Sequence, residues 1–298
     1  MANRAKIFPF NRWSDTALGS ISSSGDAAGY AASKTQQRQR SRVWRSSSLS
    51  SPSPYLYRDL GAQYRIGGLA LVSHNLTASG QFRVRISNNA AVTDVVYDSG
   101  WLFGWEAIFG VDEEPDGADS EFVGVDGAPF AATISLLPKP VRRLVFAEDP
   151  YFSEVSGRYI QIDFDDTDNG DGYIEIAYVY AGIVVELEKS MAYGWQIWRE
   201  EQARVKRAAS GQLWMDSLFK RFHVSCLFDF QSDARAAGFW KFFFNHVGVT
   251  REFVVSLKDD TAASKVWSTL YCKLAQPVNL RHVEADSHEV TVEFAEIV

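Results

Sequence analysis

The sequence predicts a mainly β protein, an N-terminal β-sandwich followed by a smaller β domain with one inserted helix. Three observations carry that expectation. Apolar and polar residues alternate with a period of two in segment after segment, as in QFRVRIS, where Phe82, Val84 and Ile86 alternate with Arg83 and Arg85. Gly, Asp and Asn punctuate these segments as turns. Strong helical spacing occurs in QSDARAAGFWKFFFNHVG, with Ser232 or Asp233 as N-cap, Phe239, Trp240, Phe243 and Phe244 as the apolar face, and Gly248 as the stop.

The elements follow in order. Residues 1–20 read as an N-terminal arm: Ile7, Phe8, Phe10 and Trp13 lie close together with no regular element to bury them, so a neighbouring molecule is expected to order them. Residues 21–183 read as the sandwich. Its opening, AAGYAASKTQQRQRSRVWRSSSLSSPS, is polar yet holds Trp44, and a large aromatic in such a stretch implies burial under the sheets. From Tyr55 the texture is β: YRIGGLALVSHNL, QFRVRIS, RRLVF, RYIQIDF and YIEIAYVYAG. Residues 184–298 form the second domain. Segment 195–231, which ends in RFHVSCLFDF, supplies two strands, the helix follows, and EFVVSLKDD, LYCKLAQPVNLRHVE and EVTVEFAEIV are three more, so the order is β, β, helix, β, β, β.

A length of 298 residues suits two domains of about 150 residues. The net charge of −7 argues against a nucleic-acid partner, and the basic run from Arg38 to Arg45 is too short to reverse that. The N-terminus lacks the apolar core of a secretory signal, and no apolar run reaches the roughly 18 residues needed to span a bilayer, so synthesis in the cytoplasm without membrane insertion is expected. Cys226 and Cys272 lie in apolar strands and read as buried, reduced thiols, with a disulfide left open.

Candidate chemistry is sparse. DFDDTDNGDGYIE gathers Asp163, Asp165, Asp166, Asp168 and Asp171, but counting Asp165 as the first position of a calcium loop puts Thr167 third and Ile176 twelfth, so an acidic turn is the better reading. GWLFGWEAIFG offers Trp101, Phe103 and Trp105 as an aromatic stripe that could pack or stack on sugar, and the acidic DEEPDGADSEFVGVDG after it reads as a surface loop. His74, in SHN, could lie in a loop near such a ligand. The five histidines, His74, His223, His246, His282 and His288, show no metal-ligand spacing. No nucleophile elbow, phosphate loop or dinucleotide fingerprint occurs, so neither catalysis nor a cofactor is expected.

SSSGDAAGYAASKTQ leading to SRVWRS, then DLGAQYRIGGLALVSHNL, YDSGW and RYIQIDFDDTDNGDGYIEIAYVYAG, resembles in order the discoidin-like, galactose-binding-type jelly rolls of many phage structural proteins. The C-terminal element order resembles the ring-forming domain of phage tail-tube and distal tail proteins. The resemblance implies a structural component of a tailed-phage tail tip or baseplate, residing in the virion. Such a protein would form or decorate a threefold or sixfold ring and join other tail proteins, with Phe8, Phe10, Trp13, Trp240 and Phe242 as candidate interface residues. The alternative it implies is a host-glycan receptor module using His74, Trp101 and Trp105.

Overall fold

A computed structural model describes residues 4–39, 41–49, 54–77, 79–104, 154–189, 191–207, 212–257 and 269–297, with the backbone alone at 141–145 and 216–220. In chain order the strands are β1 (Lys6–Phe8), β2 (Ile21–Ser23), β3 (Trp44–Arg45), β4 (Tyr55–Ile66), β5 (Gly68–His74), β6 (Gln81–Ser87), β7 (Val95–Phe103), β8 (Val141–Val145), β9 (Val155–Asp165), β10 (Glu175–Gly182), β11 (Val185–Glu186), β12 (Gln196–Arg207), β13 (Leu213–Ser232), β14 (Glu252–Ser256), β15 (Thr269–Leu274), β16 (Asn279–Glu284) and β17 (Ser287–Glu296). Two compact units result: Phe10–Val184 makes up most of one, while Met1–Pro9 joins Val185–Lys258 and Leu270–Val298 in the other.

The first unit is a sandwich of a five-stranded sheet, β2-β4-β9-β6-β7, and a four-stranded sheet, β3-β10-β5-β8. Alternation dictates its inner layer. Phe82, Val84 and Ile86 of β6 meet Ile160, Ile162 and Phe164 of β9, all 3% exposed or less, while Arg83, Arg85, Gln161 and Asp163 take the outer face. Trp44 is fully buried as its setting implied. Its ring lies 5.8 Å from that of Phe164, and its indole N–H donates to Asp26 Oδ1 at 2.9 Å. The buried indole therefore keeps its polar group satisfied.

The second unit is an eight-stranded sheet in the order β11-β1-β14-β15-β17-β13-β12, with β16 added on β17. A helix, α1, follows β13 in three continuous pieces: Asp233–Arg235, a wider π-type turn over Ala236–Trp240, and Lys241–His246. Ser232 caps it, accepting from the Arg235 N–H at 3.2 Å. The apolar face of α1, with Phe239, Trp240, Phe243 and Val247, packs with Val224, Cys226, Phe228, Phe253 and Phe294. Both cysteines are buried and free, and burial pushes both thiols well above their usual range.

The N-terminal segment differs from the expected arm. Lys6–Phe8 is a strand inside a sheet, paired through Ile7 with Val185 of β11 and with Val255 of β14. Phe8 and Trp13 are both 0% exposed, and Trp13 belongs to the sandwich core with its Nε1–H on Thr35 Oγ1 at 3.0 Å. The physical reason is that Ile7 and Trp13, too close in sequence to bury one another, are taken up by two different cores, while Phe8 is buried in the strand between β11 and β14 and Phe10 is half-buried.

Candidate functional site

The outer face of the five-stranded sheet combines exposed aromatics with ordered polar groups. On edge strand β7, Trp101 is 41% and Phe103 55% exposed, opposite Arg83 and Gln81 of β6. Asp98 stands three residues before Trp101, and in a regular strand it would point to the opposite face. A register shift between Arg83 and Arg85, with Gly100 at φ 63°, adds the residue that restores parity. Asp98 therefore shares the outer face with Trp101 and binds Arg83, which donates through Nε at 2.8 Å and through Nη2. That pair holds the Asp98 carboxyl below its usual range.

One row further in, Arg85 grips Asp163 with Nε at 2.9 Å and Nη2 at 3.0 Å, and Gln161 Nε2 donates to the same carboxylate at 2.6 Å. Tyr57 and Tyr159 stack beyond them at 5.9 Å. The face is thus an exposed aromatic edge beside bidentate arginine–carboxylate pairs. Each pair presents fixed donors and acceptors on side chains whose own rotamers are held.

The sequence-proposed residues divide. Trp101 stands on this face, and Trp105 and the acidic segment 112–127 lie outside the described residues. His74 lies at the end of β5 and not in an exposed loop: it is 1% exposed, with Nδ1 accepting the Leu76 N–H at 3.3 Å. The acidic turn is fastened from within. Asp166 accepts from the Thr77 N–H at 2.8 Å and from Asn169 Nδ2 at 3.0 Å, Asp171 accepts from Asn75 Nδ2 at 2.9 Å, and Asp163 serves Arg85. Of the proposed interface residues, Phe8, Trp13 and Trp240 are each 0% exposed in the single chain, with Trp13 in the sandwich core and Trp240 in the core of the second unit. Phe10 and Phe242 are half-buried, and Phe242 stacks on His246 at 4.8 Å.

Other groupings carry no motif signal in the sequence. Arg45 is clasped between Tyr30 and Tyr173, 4.2 and 4.5 Å from their centroids, and its Nε donates to Glu175 at 2.9 Å. Arg58 is 1% exposed and donates through Nη2 to the Leu18 carbonyl at 2.7 Å and to the Asp15 carbonyl at 2.5 Å, while burial lowers its pKa. Two of the five histidines also meet in the fold. His282 and His288 have no metal-ligand spacing in sequence, yet they face each other across the β16–β17 hairpin, with rings 4.9 Å apart.

In the second unit, β12 and β13 pair from Gln196↔Ser225 out to Arg207↔Leu213, whereas β17 accompanies β13 only from His223 onward. Among the described residues, the outer part is a two-stranded ribbon. It carries Val205 at 56%, Leu213 at 50%, Trp214 at 61% and Met215 at 67% exposure. Where the ribbon leaves the sheet, Glu200 binds Arg221 at 2.7 Å and His223 at 2.5 Å, and Trp198 stacks on His223 at 5.4 Å. Hydrogen bonds from Arg221 and then His223 hold the Glu200 carboxyl below its usual range.

No protein-family model and no curated protein matches the chain. Among solved structures it is similar to a family 32 carbohydrate-binding module of C. perfringens NanJ in complex with galactose, at 12% identity and TM-score 0.35 over 61% of this chain and 99% of that one. It is also similar to a Streptococcus pneumoniae fucose-binding module, at 12% identity and TM-score 0.36 over 58% and 94%. A third likeness is to the lectin domain of lectinolysin complexed with Lewis B antigen, at 16% identity and TM-score 0.33 over 54% and 90%. The sugars are those proteins' own, and TM-scores this low carry no argument for this chain. Its identity as a mainly β protein with a two-sheet sandwich rests on its own strand order and register.

Proposed function

We propose that the sandwich unit is a non-catalytic carbohydrate-binding module whose platform is the outer face around Trp101. The carrying observation is the placement of an exposed indole beside the Arg83–Asp98 pair on one face. The apolar face of a pyranose stacks on an aromatic plane, while its hydroxyls both donate and accept. An arginine and a carboxylate side by side supply the complementary groups. The partner in this reading is a cell-surface glycan.

The test is titration of the full chain with host-surface polysaccharide and its constituent sugars, followed by tryptophan fluorescence and calorimetry. Trp101→Ala should abolish binding and leave the melting temperature unchanged, because the ring is exposed. Equal binding by that variant, or none by the parent across the panel, overturns the proposal.

A second reading, a ring-forming structural component of a phage tail tip, is favoured by the β12–β13 ribbon. Two strands alone are marginal in water, and Val205, Leu213, Trp214 and Met215 leave apolar surface without cover in the single chain. In this reading copies of the chain and other tail proteins cover the ribbon in a threefold or sixfold ring, and the protein resides in the virion. Sedimentation of the full chain over a concentration series should show an oligomer that Trp214→Ser dissociates. A monomer at all concentrations, absent from purified virions by mass spectrometry, would remove this reading without touching the first.

A further inference from the structure

We propose that Asp233, His282 and His288 form a binding site for a divalent transition-metal ion of the zinc class, which ties the β16–β17 hairpin to the start of α1. One ligand atom from each of the three residues lies within 4.8 Å of the others. The arrangement follows from the fold. A turn at Ala285 and Asp286, the latter at φ 61°, folds β17 back on β16 and sets His282 directly opposite His288. In the next pair of strands Ser232 opposes Ser287, so the residue after Ser232, Asp233, emerges beside the same hairpin tip.

The distances fit the ion. Zinc bonds to nitrogen and oxygen of about 2.0–2.2 Å at tetrahedral angles place neighbouring donors about 3.3 Å apart. His288 Nδ1 and Asp233 Oδ1 are 3.2 Å apart, so one edge of that tetrahedron is already at its length. The His282 and His288 rings stand across the hairpin with centroids 4.9 Å apart and planes at 57°, and the three donor atoms already lie within 4.8 Å of one another.

A second observation points to a ligand. His288 Nδ1 is shielded from solvent and makes no hydrogen bond, although a carboxylate oxygen stands 3.2 Å away. A buried imidazole nitrogen facing a carboxylate without hydrogen-bond alignment loses its hydration without recovering it. A cation between the two satisfies both. Two imidazoles with one carboxylate select borderline ions such as Zn²⁺, Ni²⁺ or Co²⁺ over Ca²⁺ and Mg²⁺, which take oxygen donors. His282 and Asp233 are exposed, which supplies the path of entry and leaves a fourth position open to water or an outside donor.

The test uses the full chain, stripped with a chelator and titrated with Co²⁺ and then Zn²⁺. One ion per chain is expected, with the visible absorption of four-coordinate cobalt, displaced by zinc. His282→Ala and His288→Ala should each weaken binding at least about tenfold, the scale on which loss even of supporting contacts is felt. His223→Ala, at the other histidine–carboxylate contact, should leave it intact. Asp233→Asn, at an exposed position, guards against a variant that fails to fold and should also weaken binding, and zinc at one fixed concentration should raise the melting temperature of the parent more than that of His282→Ala. Absence of cobalt absorption, binding lost in His223→Ala, or equal binding by all variants overturns the proposal.

Discussion

Trp44 shows what a single residue can carry from sequence to structure. Its isolation among serines and arginines implied burial, and the structure places it at 0% exposure against Phe164 with its N–H on Asp26. Trp44→Ala should cost about 3–5 kcal/mol, the range for removing a large buried aromatic, and removes one of the donors to Asp26, which keeps those of Ser23 and Ala32. Chemical denaturation of the full chain checks this, and an unaltered sandwich transition would contradict it. The acid range reports a different residue. Asp59 has its carboxyl lowered first by hydrogen bonds from Arg158 Nε at 2.8 Å and Nη2 at 2.9 Å. A depressed folded pKa contributes stability above the unfolded value near 3.8, and that contribution disappears as pH falls through the lower folded value. Asp59→Asn should therefore lose stability at neutral pH and converge on the parent in acid, and parallel acid curves would refute the assignment. Neither Arg58 nor His288 was legible in this way. Nothing in a local window tells that an arginine's guanidinium will be buried beneath a loop, because the carbonyls that receive it come from about forty residues away.

At the scale of elements, periodicity carried furthest where one face was buried and the other wet. β6 and β9 alternate, and their register follows; α1 has its cap and its apolar face where the spacing put them. The π-type turn was not legible, since it inserts one residue into the helical period without changing which residues the spacing marks as apolar. Nor was the bulge in β7. Period two read through YDSGW puts Asp98 and Trp101 on opposite faces, and the positive φ of Gly100 reverses that parity. Gly100→Val isolates the effect, because an added Cβ at this position meets nothing within 4 Å and the backbone alone resists. We expect a loss of about 1 kcal/mol or more, together with weakened sugar binding as the Asp98–Arg83 pair is displaced from the Trp101 face. A variant that melts and binds like the parent would show that the bulge does not depend on glycine. The cross-strand histidines belong to the same scale: metal spacing was absent from the sequence because the contact is made through a ladder, not along one strand.

For the whole molecule, the decisive feature is that the chain's first residues and its last hundred share one sheet. Sequence order suggested a free arm because strand partners lie roughly 180 to 250 residues away, and no local pattern reports a partner at that distance. β1 is interior to the sheet order, between β11 and β14, so its removal leaves two unpaired edges instead of one trimmed edge. Ile7 and Phe8, at 3% and 0% exposure, would each forfeit about 1.5–3 kcal/mol of burial, an upper estimate because the unfolded chain already covers some of that area. That sum is comparable to the whole stability of a domain of this size. A chain lacking residues 1–9 should therefore lose amide protection along Phe253–Val255 of β14, gain a tendency to associate through the exposed strand edges, and keep protection at Ile160–Ile162 of β9, which belongs to the other unit. Hydrogen exchange read by mass spectrometry separates the two regions in one experiment. Unchanged protection in β14 would mean that β1 is dispensable to its sheet, and the first nine residues would then return to the role of an arm.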